Sequence, residues 1–485
     1  MNRAPFAMAC ATLVLLPLLA EPFATPDTIE MVASGRCLLG LETNELLCQT
    51  LDTARWSLPF SLLAGMTSVF ASTYAIAGAL AGLIGTATLM GAMTALAPRN
   101  HWAAGACAAL VAIAIPALRL HGLAGDARTL ALAALVAAWC LVPRPEEQMK
   151  RSQAIGIGIL TGLAVLIRPE MLAGATVLLI ALGWWHRKGA AIPVAAAAFT
   201  ALVPRLWSRG ITGRDWEMGA LSLLDVLPEG WVFQLVGLGV KEAPFRAYLP
   251  SETSSSLHPA NAMGWIVDAL PVAIPFWWWP LVVWGGLVAW KNHRTRLIIA
   301  GSIAAPSLGV LLLPQARDAQ LTAQNLLGLL VGGCTLAGPV IWDKLRTTFP
   351  WRIRLPLLGI LCLSLGFITR YPSVSLPMET GSVHQEMATW IHRNVPEGEG
   401  INATFLSGGM VLEGHRARMP LPSSWELQGW LPPGSSQMVL ITSIDHPAAL
   451  ATLAELQRLG KPEILAAFKD MYTSATLIRV TRDES

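Results

Sequence analysis

What most constrains this chain is a succession of apolar runs, each close to the length a helix needs to cross a hydrocarbon core. A crossing takes about 20 apolar residues, fewer where flanking side chains reach back to the interface. Such runs fall near 5–21, 71–97, 102–118, 126–143, 154–168, 171–186, 190–207, 271–290, 297–313, 323–342 and 355–370, which predicts about eleven spans. Only 13% of the 485 residues are charged and 54% are hydrophobic, where a soluble domain carries about 25% charged residues. The expected fold class is an all-α polytopic membrane protein followed by a small C-terminal α/β domain. Nineteen Trp against four Tyr fits interfacial anchoring, as at Trp184-Trp185 and Trp277-Trp278-Trp279.

Charge sets the expected orientation. With the N-terminus inside, the cytoplasmic loops carry Arg99; Arg144, Lys150 and Arg151; Arg187 and Lys188; Lys291, Arg294 and Arg296; and Lys344, Arg346, Arg352 and Arg354. The short opposite loops carry far fewer cations, notably Arg168 and Arg317. That asymmetry is the positive-inside pattern. The net charge is +3 and its basic residues are scattered through short loops, so no nucleic-acid partner is expected. The first helix follows Arg3, but Pro22 after Leu19-Ala20-Glu21 makes a poor cleavage site, so an uncleaved signal anchor is expected.

Three segments then lie outside: 22–70, 208–270 and a tail from 371. Residues 1–370 form the expected membrane domain and 371–485 the extracytoplasmic one. In the tail, an amphipathic helix is predicted over His384–Asn394. Strand-like runs follow at Ile401–Leu406, Met438–Thr442 and Ala475–Val480, with a helix near Ala448–Leu459. Of seven cysteines, Cys37 and Cys48 share the first outer loop, where an oxidising exterior permits a disulfide. Asn402-Ala-Thr404 matches a glycosylation sequon but lies in an expected strand.

Carboxylates near hydrocarbon are costly unless water, a partner or a substrate meets them. Glu21, Asp27 and Glu30 stand together directly after the first span, in Glu21-Pro-Phe-Ala-Thr-Pro-Asp27-Thr-Ile-Glu30. Thr25 or Asp27 is placed to cap a helix through Leu38-Leu39. A second amphipathic stretch, Trp56-Ser-Leu-Pro-Phe-Ser-Leu-Leu, is expected to lie flat in the interface. A membrane helix, then Pro-Asp-x-x-Glu-x-x-Ala among flat helices, then ten further spans and an exterior α/β tail resembles the GT-C glycosyltransferase superfamily. Its members include protein O-mannosyltransferases and lipid A aminoarabinose transferases. Gly162-Leu-Ala-Val-Leu-Ile-Arg168-Pro169-Glu170, Leu118-Arg-Leu-His-Gly-Leu-Ala-Gly-Asp126-Ala-Arg128 and Pro314-Gln-Ala-Arg317 extend the resemblance.

The resemblance implies an integral inner-membrane enzyme. It would move a sugar from a polyprenyl-phosphate donor to a lipid, glycan or protein acceptor at the outer face, with inversion at the anomeric carbon. Such chemistry needs a base for the acceptor hydroxyl and cations for the phosphate. Asp27 is the candidate base, or a helix cap. Glu30, one turn on, faces the same cavity or solvent. Arg168 and Arg317 are candidate donor-phosphate ligands, since guanidinium grips phosphate bidentately; the alternative is interfacial anchoring. Asp126 either contacts a sugar or caps the fourth helix. Glu170 is expected to brace Arg168. His258, in the long outer loop, is a substrate-binding candidate or an ordinary loop residue, and Lys241 and Arg246 are weaker ones.

No cofactor and no metal are expected. The first outer loop has no Asp-x-Asp, and His415 and His446 lack ligand-like clustering. The lack of a paired acidic motif leaves a second reading open, a non-catalytic scaffold or assembly partner of the same fold.

Overall fold

The computed structural model describes residues 3–19, 26–41, 58–71, 74–97, 102–123, 125–187, 189–212, 276–311 and 326–350. Of the C-terminal part it describes 353–354, 356–360, 364, 380–396, 401–403, 417–420, 431–442, 453–454, 456–469 and 474–482. The helices are α1 (Ala4–Leu19), α2 (Pro26–Leu38), α3 (Leu58–Thr67), α4 (Tyr74–Leu96), α5 (Trp102–Ala114), α6 (Pro116–Leu123), α7 (Ala127–Leu141), α8 (Arg151–Ile167), α9 (Leu172–Trp185), α10 (Ala191–Thr212), α11 (Trp278–Asn292), α12 (Arg294–Leu311), α13 (Leu327–Thr348) and α14 (Thr380–Asn394). Ten of the predicted runs coincide with helices. Of 355–370, residues 356–360 are described as helical. The run 102–118 is corrected: it breaks at Ile115 into α5 and α6, because Pro116 has no N–H to continue the ladder.

Among the described residues one segment, Ile76–Leu96, is long and apolar enough to cross a membrane by length and composition. Shorter apolar helical stretches of 10–17 residues accompany it, among them Trp102–Ala114, Arg151–Ile167 and Leu172–Trp185. Leu89, Met90 and Met93 of α4 are fully buried, and α1, α2, α3, α5, α6 and α7 pack around it. Small residues allow close approach where apolar surface alone gives little drive between helices. Gly158 and Gly162 of α8 meet Pro193 and Ala197 of α10, and Gly338 of α13 meets Ala108 of α5. One polar link ties three helices: Trp139 Nε1 donates to Ser302 Oγ at 3.1 Å, and Ser302 Oγ donates to Gly174 O at 2.8 Å. Buried groups paired in this way fix register between apolar helices.

The two helices after the first span cross backbone to backbone. A Cβ on Gly65 would stand 2.5 Å from the Gly35 carbonyl carbon, and one on Gly35 would strike the Ser61 carbonyl oxygen. Phe60 and Ala64 of α3 and Val32 and Ala33 of α2 are fully buried around that crossing. α3 is thus packed on α2 rather than merely resting in an interface. Gly35→Ala should therefore force the pair apart at a cost of about 1–3 kcal/mol, the range for overpacking. Thermal unfolding of the purified variant checks this; an unchanged midpoint would show that the crossing yields freely. Cys37, at the end of α2, is disulfide-bonded. Cys48 lies outside the described residues.

The C-terminal part holds a five-stranded sheet ordered β2-β1-β3-β5-β4, with β1 Ile401–Ala403, β2 Ala417–Pro420, β3 Ser436–Thr442, β4 Lys461–Lys469 and β5 Ser474–Thr481. β1 runs parallel to β2 and β3, while β3–β5 and β5–β4 are antiparallel. Side chains alternate between faces with period two. Met438 and Leu440 join Met387 and Ile391 of α14 on one side; Val439 and Ile441 join Leu431 and Leu456 on the other. β1, β3, β5 and α14 fall where the sequence predicts them, whereas β2 and β4 were not expected. β4 is Lys-Pro-Glu-Ile-Leu-Ala-Ala-Phe-Lys, poor in β-branched residues, largely exposed, and broken by a bulge between Ile464 and Ala466. That is edge-strand chemistry, where Pro and charge are tolerated.

Candidate functional site

The site is built where α2, α4 and the α6–α7 connection meet. Gly125 has φ +74°, a left-handed conformation that a side chain would strain. It is also hemmed in: a Cβ there would lie 2.5 Å from Gly78 O and from Thr28 Cγ2. A Cβ on Gly82 would lie 2.7 Å from Gly125 Cα. The first turn of α2, which bears Asp27 and Thr28 and is followed by Glu30, therefore abuts the residue directly before Asp126.

Asp126 is the N-cap of α7. Its Oδ1 accepts from the Arg128 backbone N–H at 2.9 Å, satisfying a donor that the helix start leaves unpaired. The same carboxylate carries more than a cap. Oδ2 accepts from Arg128 Nη1 at 3.3 Å, and Oδ1 stands 3.7 Å from Arg168 Nη2. Arg128 Nε in turn lies 3.0 Å from Glu170 Oε1. Two cations and two carboxylates thus form one chain, Arg168–Asp126–Arg128–Glu170, with side chains 4–18% exposed.

Local sequence explains how α8 delivers Arg168. Pro169 disfavours helical backbone in the residue before it, and Arg168 ends α8 extended, with φ −143° and ψ 115°. Pro169–Met171 then makes a 3-10 turn before α9. The expected Arg168–Glu170 brace is corrected here. The 3-10 turn that begins at Pro169 turns Glu170 away, and both reach instead to the start of α7, Arg168 to Asp126 and Glu170 to Arg128.

The network is neutral in sum but incompletely bonded. Arg168 Nε and Glu170 Oε1 are buried and make no aligned hydrogen bond among the described residues. The 3.0 Å Arg128–Glu170 approach is therefore a charge contact rather than a well-directed hydrogen bond, and the Arg168–Asp126 contact is longer still. A buried network left partly satisfied is held at a cost, and its donors are available to an anion that could align them. Arg119, fully buried on α6, donates from Nη1 to Leu19 O at 3.3 Å. It ties α6 to the end of α1, immediately before the segment that leads into α2.

The candidates from sequence fall into three groups. Asp126 and Arg168 are brought together. Asp27 and Glu30 lie one turn apart on α2, whose start touches that loop; their side chains lie outside the described residues, as do Arg317, His258, Lys241 and Arg246 entirely. Arg128 and Arg119 were missed, although each is a cation beside an apolar run on the side where the charge pattern predicts few.

The chain resembles a solved structure in fold over nearly its whole length. The crystal structure of ArnT from Cupriavidus metallidurans in the apo state covers 97% of this chain and 97% of its own, with TM-score 0.55 and 13% sequence identity. The chain has a GT-C fold. No protein-family model matches it, and no curated protein does. At 13% identity the likeness is one of fold. GT-C folds are polytopic membrane folds, and the succession of apolar helices fits such a bundle. The four-charge network sits at the helix ends, at the start of α7 and the turn after α8.

Proposed function

We propose that the chain is an integral membrane glycosyltransferase that moves a sugar from a polyprenyl-phosphate carrier to a lipid, glycan or protein acceptor at the outer face of the inner membrane. Asp27 acts as the general base, with Glu30 beside it. Arg168 and Arg317 hold the carrier phosphate, and Asp126 and His258 contact substrate. Residues 1–370 form the membrane domain, with about eleven spans and the N-terminus inside. Residues 371–485 form the extracytoplasmic domain.

The observation that carries this reading is the contact of Thr28 with the Gly125 loop. It sets the helix bearing the candidate base beside a carboxylate that already meets Arg168. Base and phosphate ligand would then serve one cavity, as transfer from a lipid phosphate requires. The covering of both chains by the ArnT match supports the same reaction class.

A second reading rests on the network itself. Its cations are each matched by a carboxylate, as befits a brace in a non-catalytic scaffold of the same fold. Mass profiles of envelope glycolipids and glycoproteins from intact, deleted and complemented strains separate the two. Transfer predicts a sugar-sized mass lost on deletion and restored by the complementing gene. A profile that deletion leaves unchanged would favour the scaffold.

A further inference from the structure

The end of the bundle far from α2 carries a second concentration of charge. α11 and α13 run parallel: Gly333 meets Trp278 and Val282, and Gly285 meets Leu336 and Ala337. α12 runs the other way, with Gly328 against Ile303 and Ser307, and Gly332 against Ala300 and Ala304. The C-termini of α11 and α13 and the N-terminus of α12 therefore share one end. That end presents Lys291, Arg294, Lys344 and Arg346, all exposed.

Within residues 291–296 and 341–354 the one carboxylate is Asp343, and it acts on Arg296. Arg354 is occupied, donating from Nε to Phe349 O at 2.6 Å and from Nη2 to Arg346 O at 2.9 Å. Four exposed cations thus stand there with a single carboxylate in these stretches, so the end is strongly cationic. Directly along α11, Val283, Trp284, Leu287 and Trp290 form one exposed apolar stripe. Lys344 Nζ lies 5.3 Å from the centroid of the Trp284 ring, close enough for a cation–π contact. The contact ties Lys344 to the near part of the stripe, while Trp290 is the ring that adjoins Lys291 at the cationic end.

We infer that this end of α11, α12 and α13 is a binding site for an anionic membrane phospholipid, its phosphate among Lys291, Arg294, Lys344 and Arg346 and its acyl chains along Trp284, Leu287 and Trp290. Lipid tails cover the stripe in a bilayer, so the headgroup decides. An uncharged lipid would leave the cations unmatched, and a soluble anion would bring no tails to the stripe beside them. Only a ligand with an anionic head and apolar tails answers both. Each cation near an anionic lipid surface strengthens binding by about fivefold. The site stands apart from the network around Asp126 and does not depend on the proposed reaction.

The test is native mass spectrometry of the purified full-length chain, comparing retention of phosphatidylglycerol, phosphatidylethanolamine and glycerol 3-phosphate. Phosphatidylglycerol should be retained preferentially, and glycerol 3-phosphate should not displace it. The triple variant Arg294→Gln/Lys344→Gln/Arg346→Gln should lose about a hundredfold in retention. The control Arg144→Gln/Lys150→Gln/Arg151→Gln should lose little. Should the triple variant fail to fold, Trp284→Leu alone should still weaken retention by removing the ring under Lys344. Equal retention of phosphatidylethanolamine, displacement by glycerol 3-phosphate, or equal losses in both triple variants would overturn the assignment.

Discussion

Asp27→Asn should lower sugar transfer by about 10²–10⁴-fold, the range that a positioned general base contributes, while the purified protein melts as before. The substitution keeps the side-chain volume and removes only the ability to take a proton. Pro26 opens α2, as suits a residue with no N–H to satisfy, so Asp27 lies in the first turn. A carboxylate there interacts favourably with the helix dipole, by about 0.3–1 kcal/mol. Loss of that term is too small to mimic a catalytic defect. The measurement is transfer by isolated membranes supplied with polyprenyl-phosphate sugar, normalised to folded protein. A variant that transfers normally would make Asp27 structural; one whose activity falls only as far as its folded fraction would do the same.

The largest stability effect is expected at Asp126. Asp126→Ala removes the N-cap of α7 and leaves Arg128 and Arg168 facing each other without their shared counter-charge. Breaking a buried pair by deleting one partner costs about 3–5 kcal/mol, and loss of a cap adds about 1 kcal/mol. Glu170→Gln should cost less, because Glu170 is the most exposed member and meets Arg128 alone. Asp126→Asn should fall between them, keeping an acceptor for the Arg128 N–H. Unfolding in detergent at fixed lipid content ranks the three. If Asp126→Ala melts with the wild type, the four charges are not a brace and must be held in place for a ligand.

Much of the bundle was legible because hydrocarbon leaves few options: an apolar run of sufficient length has to satisfy its backbone internally. Thus α4, α8 and α9 fall within a few residues of their predicted bounds. The break at Pro116 was not read, because the uninterrupted hydropathy from Trp102 to Leu118 concealed it. Asp126 showed itself as a cap by its place before an apolar helix. Its partner Arg128 did not, because a cation in the first turn of a helix reads as ordinary until the turn after α8 brings Glu170 across to it. That pairing spans more than forty residues, and no local spacing encodes it. Arg119 was hidden likewise, since its acceptor is the backbone carbonyl of Leu19, which has no side-chain signature. In the tail, β3 and β5 carry dense apolar alternation, while β4 owes its strand state to pairing with β5 rather than to its own composition.

That last strand bears on life in a crowded membrane. Proteins confined to two dimensions meet one another far more often than they would in bulk water, and a bare sheet edge is a template for the next copy. β4 offers a poor one. Pro462 lacks an N–H to donate, the bulge after Ile464 throws the ladder out of step, and Lys461 and Lys469 would confront charged residues of their own kind. The sheet ends where it does by chemistry, so neighbouring molecules can collide without stitching themselves into a ribbon.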